Sequence, residues 1–331
     1  MRENRHQQLG LSNDDVLLMY ETMLEARMID ERMWLLNRAG KIPFVISCQG
    51  QEAAQVGAAM ALNKNKDYVL PYYRDMGVVL TFGMTAKDLF LSGFAKAEDP
   101  NSGGRQMPGH FGQRKNRIVT GSSPVTTQVP HAVGFGLAAK MKNEDFVAFT
   151  TFGEGSSNQG DFHEGINFAS VHDLPVIFMC ENNKYAISVP QEKQLRCENV
   201  SDRAIGYGIH GETVDGNDPL AVYEAISKAR QRAADGKGPS LIETISYRLT
   251  PHSSDDDDST YRDKAEVDEA KKRDAIVTFS MYLKDTGVLT DSQETEMKNK
   301  LKKRIDEATE YAEKAEYAKP ETALNFVYGE E

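Results

Sequence analysis

Apolar residues recur at Leu17, Tyr20, Leu24, Met28 and Leu35, the spacing of one face of a helix. Ser12 with Asp15 three residues on forms a start signal, Asp replacing the usual Glu or Gln, and Gly40 supplies a stop. The pattern predicts one long amphipathic helix. Residues 50–62, GQEAAQVGAAMAL, read as a helix of small residues able to pack closely against a neighbour. Beyond it the period switches back and forth. YVLPYY (68–73) predicts a strand and MGVVLTFG a helix; strands over 145–152, 175–180 and 239–247 then alternate with helices over 131–142, 161–171 and 219–234. Such alternation predicts an α/β fold, a mostly parallel sheet with helices on both faces. In these sheets ligands bind at the carboxyl ends of the strands.

Two stretches break the alternation. Residues 96–130 hold Gly, Pro, Ser and Thr with few apolar runs, too long for a simple connector. HSSDDDDSTYR (252–262) carries four consecutive acids, which read first as a solvated surface loop. From Lys264 to Ala318 the chain is charged and helical, with helix ends expected near Gly287 and Lys319-Pro320. The expected organisation is an N-terminal helical arm (1–40), an α/β unit (41–263) and a C-terminal helical region (264–331).

Composition narrows the partners. The net charge of −11 over 331 residues disfavours nonspecific binding to nucleic acid or to anionic membrane. Cys48, Cys180 and Cys197 form no disulfide framework and no CxxC pair, and Cys180, within the apolar run PVIFMC, reads as a buried, inert thiol. MRENRHQQLG lacks the apolar core of a signal peptide, and no apolar run approaches the ~18 residues of a membrane span. A cytoplasmic protein without nucleic-acid or membrane partners is expected.

The chemistry concentrates in FVAFTTFGEGSSNQGDFHEGINF (146–168), an apolar run, a glycine turn and a helix start. Glycines and helix N-terminal N–H groups suit a phosphate, yet Glu154 places an anion in the turn. The dinucleotide fingerprint fails because Asn158 stands at its third glycine, and the Lys of a phosphate-binding P-loop is absent. An isolated GxG is ordinarily a tight turn. The next strand changes that reading, because it ends in Glu181-Asn182-Asn183-Lys184-Tyr185. The 26 residues from 156 to 181 fit one helix and one strand returning to the same sheet edge, so Glu154 and Asn183 should face each other. Both offer hard oxygens, which suit Mg²⁺ shared with phosphate. The acid then holds the cation that joins protein to phosphate. This two-part pattern resembles the thiamine-diphosphate motif, with Gly-Glu-Gly for the usual Gly-Asp-Gly.

With GQEAAQVG, PYYRDMG, GGRQMPGHFG, SSPVTTQVPHAVGFG and YRLTPHSSDDDDSTYR, the chain resembles the alpha subunit of the two-subunit 2-oxo acid dehydrogenase decarboxylase component over roughly residues 12–330. The Gly-Glu-Gly turn, the GGRQMPGHFG stretch and the acidic loop ending in Tyr-Arg resemble the branched-chain branch most. Pyruvate and acetoin enzymes are the near alternatives. The resemblance implies thiamine diphosphate and Mg²⁺, the metal held by Glu154, Asn183 and the main-chain oxygen of Tyr185. It implies Tyr73, Arg74 and Arg248 at the diphosphate, Gly155 and Ser156 as backbone donors, and Ser123 and Val125 at the thiazolium end. It further implies a monovalent cation (K⁺) at Ser122, Pro124, Thr127 and Gln128. His252 matches the family's active-site histidine, a diphosphate contact and an aid to acyl transfer, whereas His6, His131, His163, His172 and His210 read as structural. One departure is Glu181, an arginine in some relatives. The Ser253 position is a regulatory phosphosite in animal relatives, and a second such position is Asp263 here.

The ylide-forming glutamate of this cofactor class has no domain here to carry it. The resemblance places it on a beta subunit, giving an α₂β₂ assembly that acts on a 2-oxo acid and a lipoyl-bearing acyltransferase core, with this chain inactive alone. Two readings from other classes stand beside this one. An NAD-dependent oxidoreductase on a Rossmann-type sheet is disfavoured by the glycine spacing. A scaffold without chemistry is disfavoured by the intact Glu154, Asn183, Arg74 and His252 set.

Overall fold

The structure is a computed structural model that describes residues 4–325, 327 and 328; the outer ends of the expected N- and C-terminal regions lie outside these. After a short turn of helix, α1 (Arg5–Gln8), the Ser12 side chain accepts from the Asp15 amide. Asp15 accepts in return from the Ser12 amide at 2.8 Å, a reciprocal cap that starts α2 (Asn13–Arg38). The next helix, α3 (Glu52–Met60), is the expected small-residue segment. A Cβ on its Gly57 would stand 2.5 Å from the Pro219 carbonyl oxygen, so only glycine allows this approach.

Strand β1 (Tyr68–Leu70) is shorter than expected, since Pro71-Tyr72-Tyr73 already turn into α4 (Met76–Thr81) and then α5 (Ala86–Gly93). Pro71 has no amide N–H to continue a ladder, which accounts for the early end. Residues 96–127 are largely irregular, as the composition indicated, and lead into α6 (Gln128–Lys142). There follow β2 (Ala148–Gly153), α7 (Gly160–Val171), β3 (Val176–Asn182) and a small hairpin of β4 (Tyr185–Ala186) and β5 (Val189–Pro190). A short helix α8 (Ala204–Tyr207) precedes β6 (His210–Asp215), and α9 (Pro219–Ala234) leads to β7 (Ser240–Ile245). The chain closes with α10 (Lys264–Lys271), α11 (Ala275–Asp285) and α12 (Asp291–Lys314), the last ending before the expected Lys319.

The main sheet runs β1-β2-β3-β7-β6, every pair parallel. Alternate residues of each strand feed opposite faces. Ile177 and Met179 of β3 join Phe149, Ile242 and the Val222–Ile226 face of α9. Val176, Phe178 and Cys180 join Val129 and Val133 of α6 and Phe162 and Ile166 of α7. Cys180 is fully buried, and burial pushes its thiol well above the usual range, as expected of an inert core residue. A third core joins Val16, Met19, Tyr20 and Met23 of α2 to Phe279 and Leu283 of α11 and Leu301 of α12.

Candidate active site

Four neighbouring strands deliver the candidate residues at one edge. Tyr73 and Arg74 follow β1, Glu154 and Gly155 follow β2, Asn183 and Tyr185 follow β3, and Arg248 and His252 follow β7. All four groups of candidate residues thus sit just beyond the carboxyl ends of their strands. Glu154 opens a 3₁₀ turn, 154–158, whose first N–H groups have no intrahelical partners. Its carboxylate is 1% exposed, and burial raises its pKa. The contacts that hold it are long: Oε2 accepts from the Asn183 amide at 3.3 Å and Oε1 from Gln194 Nε2 at 3.4 Å. Glu154 and Asn183 thus meet across adjacent strand ends, as the sequence spacing required. Asn183 Oδ1 accepts from the Tyr185 amide at 3.2 Å, turning the Tyr185 segment back along the rim. Among the described residues no group of three or more His, Cys, Asp or Glu side chains gathers for a metal, so a divalent ion here would rest on one carboxylate with neutral oxygens.

Two arginines stand over this ledge, 2% and 1% exposed. Arg74 donates to the Ser47 carbonyl at 2.7 Å, to His252 Nδ1 at 2.9 Å and to the His252 carbonyl at 3.0 Å. Arg248 donates to the carbonyls of Tyr185, Ile187 and Thr250 and to the Tyr261 hydroxyl. All these partners are neutral. Buried guanidinium groups are ordinarily paired, but here neither donates to a carboxylate, and the charges of Glu154 and Asp256 act on Arg248 through space. Burial, with the charges of Arg74 and Arg248, lowers His252 to a pKa of about 4 against the opposing effect of Asp256. Tyr73 stacks edge-on to the His252 ring at 6.2 Å and lies 5.3 Å from the Arg74 guanidinium.

The acidic run is more than a solvated loop. Asp255 and Asp257 are exposed, but Asp256 accepts from the His252 amide at 2.7 Å and from the Tyr261 hydroxyl. Asp258 pairs with Arg262, which also donates to the Arg248 and Thr250 carbonyls. Alternate acids thus tie the loop to the strand end that presents His252.

In the loop before α6, the Ser122 and Thr127 hydroxyls lie within bonding reach of each other and of the Pro124 carbonyl, at 3.0 and 3.1 Å, and their two protons serve two of these three contacts at a time. Gln128 is buried and donates to the Thr151 carbonyl at 2.8 Å. Ser123 is exposed, hydrogen-bonded to His110 Nε2 at 2.7 Å, and Val125 is half-buried beside it in sequence. Ser156 is buried within the glycine turn. Three non-glycine residues of these loops, Thr126, Lys184 and Ile187, hold left-handed backbone angles (φ 73°, 77° and 54°). Such strain, most costly for β-branched residues, gathers where surrounding structure over-determines a loop.

Several residues here escaped sequence reasoning. His110 was not weighed there. Gln194 braces Glu154, and Arg203 clamps the turn through the Ser157 carbonyl and hydroxyl and Asn158 Oδ1. Glu181 lies on the Ile177–Met179 face of β3, beneath the rim, where it accepts from Gln55 at 3.0 Å and Tyr72 at 3.3 Å. Burial raises its carboxyl and that of Asp75 beside it. Asp75 Oδ1 and Glu181 Oε1 find no partner among the described residues, and the Glu181 charge raises the Asp75 carboxyl further, the next cause after burial. Lys184 turns to Gln191 at 2.9 Å.

The sequence family described as "Dehydrogenase E1 component" matches residues 20–321, and the chain belongs to it. It is 72% identical over 328 residues to the 2-oxoisovalerate dehydrogenase subunit alpha of Bacillus subtilis (strain 168), covering 99% of each chain. Identity to the mitochondrial 2-oxoisovalerate dehydrogenase subunit alpha of Mus musculus is 39% over 322 residues, 97% of this chain and 72% of that protein. The pyruvate dehydrogenase E1 component subunit alpha of Staphylococcus epidermidis (strain ATCC 12228 / FDA PCI 1200) is 38% identical over 321 residues, 97% and 84% of the two chains. The chain is an alpha subunit of a 2-oxo acid dehydrogenase decarboxylase component, most like the branched-chain type. Among the described residues no helix is long and apolar enough to cross a membrane.

Proposed function

We propose that this chain supplies the metal- and diphosphate-binding half of a site that decarboxylates a branched-chain 2-oxo acid with thiamine diphosphate and Mg²⁺, the acyl group passing to a lipoyl group. The observation that carries this reading is the buried Glu154 carboxylate. It sits at a glycine turn, its hydrogen bonds from other described residues long, at 3.3 and 3.4 Å, facing Asn183 across the strand ends. A buried anion so weakly compensated fits a cation ligand. Asn183 Oδ1 and the Tyr185 carbonyl complete a hard-oxygen set of the kind Mg²⁺ takes when phosphates and water fill its other positions.

Thiamine diphosphate supplies an electron sink for the carbanion left by decarboxylation. The protein's part is placement and electrostatics. Arg74 and Arg248, lacking carboxylate partners, neutralise the diphosphate; Tyr73 lines it; Gly155 and Ser156 present backbone donors. A Cβ on Gly155 would lie 2.4 Å from the Ala186 Cβ, which supports a need for glycine there. Ser123 and Val125 border the thiazolium end. The Ser122 and Thr127 hydroxyls, the Pro124 carbonyl and Gln128 hold a monovalent cation such as K⁺ that fixes this loop. His252 contacts the diphosphate and assists acyl transfer. In this reading residues 41–263 form the cofactor-binding unit, with helical stretches 1–40 and 264–331 beside it.

A beta subunit completes the site in an α₂β₂ assembly that serves a lipoyl-bearing acyltransferase core. Exposed Met107 and Ile187, 52% and 57% accessible on loops near the site, suit burial under such a partner. The 72% identity to a bacterial relative supports branched-chain substrates and a cytoplasmic setting. The test is to assemble the chain with its beta partner and a lipoyl domain, add thiamine diphosphate and Mg²⁺, and follow decarboxylation of several 2-oxo acids. 3-Methyl-2-oxobutanoate should outpace pyruvate, and the chain alone should be inactive. Pyruvate preference overturns the branched-chain assignment, and no turnover of any 2-oxo acid overturns the whole reading.

A further inference from the structure

A line of polar contacts runs from the N-terminal helix into the candidate site. Asp30 of α2 is fully buried, and its Oδ2 accepts from the Ser47 hydroxyl. That hydroxyl in turn accepts from the Gln49 amide at 3.1 Å, which fixes the backbone around residues 47–49. The Ser47 carbonyl then accepts from Arg74 Nη1 at 2.7 Å, while Nη2 of the same guanidinium meets His252 Nδ1 at 2.9 Å and the His252 carbonyl at 3.0 Å. A guanidinium has only donors and keeps its protons in proteins. The nitrogen it faces must therefore accept through a lone pair, and the ring proton must lie on the other nitrogen.

We propose that Arg74, held in register by Asp30 through Ser47, locks His252 as the neutral imidazole protonated on Nε2, with Asp30 and Ser47 acting as positioning residues. His252 then meets an anion as an N–H donor and not as an imidazolium. The groups facing its ring agree with this. Arg74 and Arg248 oppose a further positive charge, Tyr73 presents its ring edge-on, and Asp256, the acid whose charge acts on the ring, is engaged by the His252 main-chain amide and the Tyr261 hydroxyl. The low pKa of His252, set first by burial and then by the charges of Arg74 and Arg248, is consistent with the same geometry. The consequence for function rests on the diphosphate reading above: anion binding by His252 should not strengthen as pH falls through the ordinary imidazole range, about 6.5.

Nitrogen-15 NMR of the full chain, labelled at histidine and without cofactor, reads the tautomer directly. His252→Asn identifies the signals by their loss. The expected result is an unprotonated, imine-type Nδ1 and a protonated, pyrrole-type Nε2, both unchanged from about pH 8 to 5.5, a range in which a free imidazole titrates. Asp30→Ala should move the Nδ1 signal toward the average of the two tautomers. Asp30→Asn keeps an acceptor for Ser47 and should retain the wild-type spectrum, separating a positioning role from mere loss of packing. A protonated Nδ1, or ordinary titration in the wild-type chain, overturns the proposal even if Asp30→Ala fails to fold. A folded Asp30→Ala with the wild-type spectrum removes Asp30 from it. Because no cofactor is present, these outcomes are independent of whether thiamine diphosphate binds.

Discussion

Glu154→Gln changes one charge at constant shape, and its two consequences should carry opposite signs. In the cofactor-free protein the carboxylate is 1% exposed, and beside a bond from its own amide its hydrogen bonds from other described residues are long, at 3.3 and 3.4 Å. Well-made hydrogen bonds to a charged group contribute about 1.5–3 kcal/mol each, and contacts this long lie below that range, whereas desolvating the charge costs several kcal/mol. Removing the charge should stabilise the cofactor-free protein by about 1–2 kcal/mol, because holding a weakly paired charge out of water costs more than such long contacts return. For a chain of this size, at ~2.1 cal/mol/K of unfolding entropy per residue, that is a rise in Tm of roughly 1.5–3 °C. With Mg²⁺ and thiamine diphosphate at 100 times Kd, the wild-type protein gains about 2.7 kcal/mol by mass action. The variant, deprived of the one carboxylate ligand, should gain almost none, so the order of stabilities reverses on adding cofactor. Calorimetry of the chain assembled with its beta partner, with and without cofactor, reads both terms. An equal cofactor-induced shift in the two proteins would refute a metal role for Glu154, and a cofactor-free variant less stable than wild type would refute the electrostatic argument.

Other perturbations test the surrounding structure. Asp30 has its carboxyl raised to about 7 by burial and by the Glu52 charge, against the lowering effects of Ser47, Gln49 and Arg27. A raised folded pKa means stability present below the unfolded value of about 4 and lost as pH rises through 7. Urea midpoints should therefore fall across that window and do so less in Asp30→Asn; a pH-independent difference between the two would contradict this. Gly57→Ala drives a Cβ to 2.5 Å from the Pro219 carbonyl oxygen, and overpacking of backbone against backbone should cost about 1–3 kcal/mol in chemical denaturation. A neutral result would mean that α3 and α9 slide apart freely. Arg203→Ala releases the turn after Glu154 and should weaken thiamine diphosphate binding by about tenfold, ~1.4 kcal/mol in a titration. Unchanged affinity would show the turn to be rigid without it.

The parts of the fold legible in the sequence are those whose signal is local. The Ser12–Asp15 cap, the apolar runs of β2, β3 and β7, and the small residues of α3 each state their own environment. β6 was missed because HGETVD is an edge strand whose side chains are exposed or half-buried, leaving no apolar alternation to read. The Glu154–Asn183 pairing was readable because a parallel crossover has a narrow length range and β2 and β3 are adjacent. The fate of Glu181 was not: only its place on the Ile177–Met179 face, opposite Gln55 and Tyr72 from distant elements, buries it beneath the rim. The relay from Asp30 to His252 joins residues 17, 27 and 178 positions apart, and no local pattern encodes it. The acidic run reads from sequence as solvated because charge repulsion is local; its anchoring to His252 and Arg262 depends on where the loop lands.

In the proposed site, Glu154, Asn183 and the Tyr185 carbonyl hold the metal that bridges the chain to a diphosphate. Crystals of the assembled α and β chains grown with thiamine diphosphate and Mn²⁺ in place of Mg²⁺ would locate the ion by its anomalous scattering. The account predicts one peak per alpha chain within about 2 Å of oxygens from all three residues, the range for small octahedral cations, with diphosphate oxygens completing the shell. A peak elsewhere, or diphosphate density on this ledge without the ion between it and Glu154, would contradict it.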